Sequence, residues 1–146
     1  LNSSALIPDA TRSALIYYTF IPRGNGLNLR DYIYIDDVVD LYILFAEKLT
    51  ADKKLMGEIF NVGTNQPKMV KDIVRKIYEM IGKNETYAEV EKLWADKQTI
   101  GEIDYQYMSY DKLNKYFGWK PRFEFDEGIQ RTIKWFKKYL AWKYNI

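Results

Sequence analysis

Cysteine and histidine are both absent from the sequence, and their absence removes whole classes of chemistry. There can be no disulfide framework, no thiolate or imidazole zinc site and no serine–histidine triad. Any metal site would have to be built from oxygen ligands. The missing cysteine agrees with a cytoplasmic setting. Long apolar runs are also lacking. The longest fall well short of the roughly 20 residues that cross a bilayer, and no charged-then-apolar leader is expected. Charge of one sign is scarce. With 22 basic and 20 acidic residues, the net charge is only +2. That is too weak a field to predict nucleic-acid binding, and the basic residues read as spread along the chain. Neither nucleic acid nor a membrane is expected as a partner.

What is present is a foldable chain. Its 146 residues are 47% hydrophobic and 16% aromatic, which excludes a disordered polymer. The length suits one domain over residues 1–146, and no linker, repeat or low-complexity tract divides it. Helices and extended segments alternate. Pro8 and Asp9 open a helix running to Leu15, and Ile16 to Ile21 reads as a strand. Gly24-Asn25-Gly26 reads as a hairpin turn leading into a second strand, Asp31 to Ile35. Asp36 is placed to cap the next helix, whose Val38, Leu41, Tyr42, Phe45 and Leu49 share one face. Residues 57–63 (GEIFNVG) and 102–109 (EIDYQYMS) read as strands. Met69 to Ile81 is the clearest helix, with Val70, Ile73, Val74, Ile77 and Ile81 on one side and Gly82 as its stop. Residues 83–102 read as a charged helix or loop around Trp94, and Asp111 to Phe117 as a short helix. Asp126 then caps a long helix with a stripe of Ile129, Ile133, Phe136 and Leu140. The class is mixed α/β.

Few residues suggest chemistry by themselves. Gly24-Asn25-Gly26 is not a dinucleotide loop, because Leu29 stands where the third glycine belongs and no helix follows. Tyr116 with Lys120 and Tyr139 with Lys143 have the Tyr-x-x-x-Lys spacing of a tyrosine proton donor. Among 13 tyrosines such matches arise by chance, and Gly118 and Pro121 break the first as a helix. Asp36, Asp37 and Asp40 fit a helix first turn better than a cation site. Arg30 has two readings. It follows a glycine turn and precedes Asp31, so it can pair locally or clamp phosphate oxygens with parallel charged hydrogen bonds.

Three segments carry a resemblance. Residues 23–49 (from RGNGLNLRDYIYIDDVVDLYILF), 57–67 (GEIFNVGTNQP) and 118–140 (from GWKPRFEFDEG) resemble the C-terminal half of extended short-chain dehydrogenases. These are the NAD-dependent epimerases and dehydratases of nucleotide sugars. The opening LNSSALIPDATRSAL and the late EIDYQYMSYDKLNKYFGWKP are most similar to CDP-glucose 4,6-dehydratases. The resemblance implies the mixed α/β substrate-binding portion of an extended Rossmann-type enzyme, without its NAD-binding half. On that basis the chain alone binds no cofactor, and NAD belongs to the complete enzyme. The glycine loop and catalytic Tyr-x-x-x-Lys pair would also lie in that missing half, which, or a second copy, is the expected protein partner. The resemblance further implies a nucleotide-diphosphate sugar as ligand. Arg30 matches an arginine at the diphosphate, Asn2 an asparagine near the same phosphates, and Tyr32 an aromatic near the base. Pro8 matches the start of the helix beneath the nucleotide. Two departures stand out: Ala5 where relatives carry arginine, and Glu102-Ile103-Asp104 where many epimerases carry a second phosphate-binding arginine. Implied activities are 4,6-dehydration, 4-epimerisation, or binding alone on the same scaffold. Residues 57–63 are expected to present an edge to the missing half's sheet.

Overall fold

The structure is a computed structural model that describes residues 5–16, 18–95 and 97–145. Its helices are α1 (Leu6–Ile16), α2 (Ile35–Ala51), α3 (Val70–Ile81), α4 (Asn84–Lys92), α5 (Asp111–Phe117) and α6 (Phe125–Tyr144). Three two-residue strands, β1 (Leu29–Arg30), β2 (Lys68–Met69) and β3 (Tyr105–Gln106), form a sheet in the order β2-β1-β3. β1 and β2 are antiparallel, with Leu29 opposite Met69 and Arg30 opposite Lys68. The chain divides into two compact units. The first holds residues up to Arg30, Lys68–Tyr105 and Ile129 onward; the second holds Asp31–Pro67 and Gln106–Gly128.

The first unit is built on α3. Ile73, Val74 and Ile77 of its predicted stripe are buried together with Tyr78, against Ala10 and Ala14 of α1 and Tyr87 and Val90 of α4. Each fully buried aliphatic side chain contributes about 1.5–3 kcal/mol, so this stripe is a main source of the unit's stability. Gly82 ends α3 in the left-handed region at φ 80°, as the sequence predicts. Ile129, Ile133, Phe136 and Leu140 of α6 are all buried, again as predicted.

The second unit gathers the rings of Phe45, Phe60 and Phe117, with centroids 5.3–5.8 Å apart, and buries Leu41 and Leu113. Asp37 is fully buried, and its carboxylate accepts hydrogen bonds from the backbone N–H groups of Arg122 (3.0 Å) and Phe123 (3.3 Å). The Arg122 guanidinium covers that carboxylate at 3.6 Å and pairs with Asp40. An acid read as a helix-dipole residue is therefore the anchor of the 118–125 segment.

Most expected strands are not strands. Of the strand expected over Ile16–Ile21, Ile16 instead ends α1 and 18–21 join no ladder. Among described residues no ladder includes 31–35 or 57–63 either, and the strand expected over 102–109 shrinks to two residues. The alternation that suggested them survives in part: Phe20 and Pro22 are buried while Ile21 is exposed. Alternation encodes extended backbone, but a ladder needs a neighbour to bond with. The glycine turn accordingly joins no hairpin. Asn25 instead accepts from Leu27 N–H and Thr99 Oγ1. Two caps also move. α2 begins at Ile35 without a side-chain cap, leaving Asp36 in its first turn, and α6 begins at Phe125, leaving Asp126 inside. Of the predicted α2 face, Leu41 is buried, but Tyr42 and Leu49 are exposed.

Candidate functional site

Arg30 sits in the first unit at the end of β1, with its side chain 20% exposed. Its Nη1 donates to the carbonyl of Leu29 at 2.9 Å and to that of Asp104 at 3.5 Å. Its Nη2 faces Glu102 Oε2 at 3.5 Å. The pairing with Asp31 weighed from the sequence does not form. Asp31 turns to another loop, accepting from Thr64 N–H at 2.7 Å, Asn65 N–H at 3.2 Å and the Thr64 hydroxyl. What brings Glu102 to Arg30 is a set of long-range bonds. Leu29 N–H donates to Asp104 O (2.8 Å), Asn28 Nδ2 to Ile103 O (3.1 Å), and Asn25 N–H to Thr99 Oγ1 (3.0 Å). The guanidinium is thus oriented by carbonyls and partly neutralised by one carboxylate. Three contacts against five donors leave hydrogen-bonding capacity for an anion.

Tyr32 lies in the second unit, where it lines an open cavity of about 440 Å³ with Thr64, Tyr110, Lys120, Arg122 and Phe123. Its aromatic walls suit a flat ligand; of its charged lining, Arg122 is engaged by Asp37 and Asp40, and Lys120 shares the cavity with Glu124. The loop at its edge is tightly specified. A side chain at Gly63 would place Cβ 2.3 Å from the Met108 carbonyl, so only glycine permits that approach. Asn2 lies outside the described residues. Pro8 lies within the first turn of α1.

The weaker candidates resolve towards structure. Gly118 ends α5 in the left-handed region, so Tyr116 and Lys120 do not share a helix. Tyr139 is stacked on Trp135, and Lys143 Nζ stands 5.9 Å from its ring centroid on an exposed helix face. Among the described residues no cluster of acids could hold a metal ion. The glycine turn does not fit NAD. A Cβ at Gly26 would meet the Trp94 ring at 2.6 Å and Lys71 Cβ at 2.9 Å, so this glycine admits protein packing and no pyrophosphate. Sequence reasoning missed Asp37 and the Arg30–Glu102 contact. The first had a signal in three closely spaced acids before a Lys-Pro-Arg segment; the second, spanning 72 residues, had none.

A family profile described as GDP-mannose 4,6 dehydratase matches residues 4–132. The chain belongs to this dehydratase family. Its similarity to curated relatives includes 30% identity over 126 residues to dTDP-D-glucose 4,6-dehydratase of Mus musculus, covering 83% of this chain and 33% of that protein. It also includes 29% identity over 146 residues to dTDP-glucose 4,6-dehydratase of Shigella flexneri, covering 97% of this chain and 38% of that protein. Among solved structures, dTDP-glucose 4,6-dehydratase of Bacillus anthracis in complex with NAD aligns at a TM-score of 0.73 and 26% identity, over 93% of this chain and 40% of that one. UDP-glucose 4-epimerase of Thermotoga maritima with UDP-glucose aligns at 0.72 and 25%, over 93% and 40%. This dehydratase-family chain therefore has the expected mixed α/β fold of the Rossmann-type epimerases and dehydratases, and it spans about a third of the length of its curated relatives.

Proposed function

We propose that the chain is the nucleotide-sugar-binding portion of an NAD-dependent 4,6-dehydratase, with Arg30 as the clamp on the diphosphate and Tyr32 and Asn2 as further ligand contacts. The observation that carries this reading is the guanidinium held at a strand end by two backbone carbonyls with donors to spare. The dTDP-glucose dehydratases among its relatives support the reaction. The late motif's likeness to CDP-glucose enzymes supports a cytidine nucleotide as the finer assignment. Similarity to a 4-epimerase at nearly the same TM-score favours epimerisation as the second reading. NAD and the proton-transferring tyrosine are supplied by a second portion, which also covers the apolar outer face of α2.

The test is calorimetric titration of CDP-glucose, dTDP-glucose, UDP-glucose and cytidine against the chain and two variants. Hydrogen bonds to a charged group contribute about 1.5–3 kcal/mol, so Arg30→Ala should weaken sugar-nucleotide binding roughly tenfold to a hundredfold and leave cytidine unchanged. Glu102→Gln removes the competing carboxylate and should tighten the same ligands severalfold. Unchanged affinity in Arg30→Ala with a lowered melting temperature would make Arg30 a purely structural residue.

A further inference from the structure

α6 carries two faces. Ile129, Ile133, Phe136 and Leu140 are buried on one. At about 100° per residue, Arg131, Lys134, Trp135, Lys138 and Trp142 fall on the other. An outward helix face ordinarily carries mixed charge and few large apolar groups. Here Trp135 is 50% exposed and Trp142 79%. Tyr139 stacks on Trp135 with ring planes 6° apart and centroids at 5.1 Å, and it touches Trp142 at 6.1 Å. Residues 129–145 hold five basic residues and no acidic one, leaving 17 basic against 20 acidic in the rest of the chain. The positive charge is therefore not evenly spread, contrary to the first reading of the composition. It is concentrated around an aromatic stripe.

We propose that this face of α6 docks the protein on an anionic phospholipid surface. Indole and phenol rings are at home where headgroups meet acyl chains, and flanking lysines pair with anionic headgroups. Among the described residues no helix is long and apolar enough to cross a membrane, so the contact is peripheral, with α6 lying along the surface. Charge opposes a second copy, which would bring Arg131, Lys134 and Lys138 against the same three cations. Single-stranded nucleic acid needs ring faces for its bases, and Trp135 and Tyr139 each use one face on the other. This surface is independent of Arg30 and Tyr32.

The experiment is co-sedimentation of the intact chain with phosphatidylcholine vesicles, with and without phosphatidylglycerol, followed also by tryptophan emission. Binding to the anionic vesicles alone, with a blue-shifted emission quenched by brominated lipid, is the expected result. Each lysine near the surface is worth about 1 kcal/mol, a factor of about five, so Lys134→Gln with Lys138→Gln should weaken partitioning roughly thirtyfold. Trp142→Ala should lose most of the quenching while its circular dichroism stays that of the parent. No sedimentation with anionic vesicles would overturn the proposal, as would equal binding to both vesicle types. Preferential binding of a single-stranded oligonucleotide would overturn it in favour of nucleic acid.

Discussion

Tyr78 shows how one side chain can carry a condition-dependent liability. Its hydroxyl is buried at the α1–α3 contact with no hydrogen-bond partner, beside the similarly unpartnered hydroxyls of Thr11 and Ser13. Burial, reinforced by Tyr18 and Asp9, pushes its pKa up to about 12; Ser13 offsets this slightly without forming a well-aligned bond. The folded protein thus holds this proton more tightly than the unfolded chain, whose tyrosine titrates near 10. The associated stability is complete below pH 10 and is lost as pH rises from about 10 to 12. Tyr78→Phe should flatten the fall in melting temperature over that window relative to the parent. At pH 7 it should stabilise by about 1 kcal/mol, since an unpaired buried hydroxyl is removed. Thermal denaturation at pH 7 and across the alkaline range checks both; a variant that falls in parallel with the parent would show that Tyr78 titrates alike in the folded and unfolded states.

At the scale of elements, α2 is the least satisfied. Ile35, Val39, Tyr42, Ile43 and Leu49 recur at helical spacing and are all exposed, Tyr42 by 72%. A continuous apolar stripe of this kind marks a face that another surface covers. Val39→Lys with Ile43→Lys should leave stability within about 0.5 kcal/mol, because exposed positions tolerate charge. It should also weaken binding of a hydrophobic dye and any self-association seen by sedimentation velocity. A large loss of stability would show that the stripe is already packed in the free chain. The unformed strands belong to the same scale. Residues 57–63 have strand composition, yet Ile59 is 80% exposed and no ladder forms among the described residues. Composition sets the backbone's preference, while pairing depends on what stands beside it. Helices were more legible because their bonds close within the segment: α3, α5 and the α6 stripe lie where the periodicity puts them.

For the whole molecule, the question is what it binds unaided. Gly26 is packed against Trp94 and Lys71, so the glycine turn offers no cradle for a pyrophosphate, and titration of the chain with NAD should show no heat of binding. A micromolar dissociation constant would contradict that packing. The sequence by itself determined the mixed α/β class, the helices other than α4, the exclusion of thiol chemistry and of cysteine or histidine metal sites, and the arginine at which the ligand argument begins. Those features rest on local periodicity or on residue chemistry, which need no distant partner. Only the tertiary structure decided that Arg30 faces Glu102 rather than Asp31, that Asp31 and Asp37 each hold a remote loop, and that the chain forms two compact units. Each is a meeting of residues far apart in the chain. The carboxylates pass over their sequence neighbours because the fold brings the backbone N–H groups of remote loops within their reach, and a loop's N–H groups need acceptors.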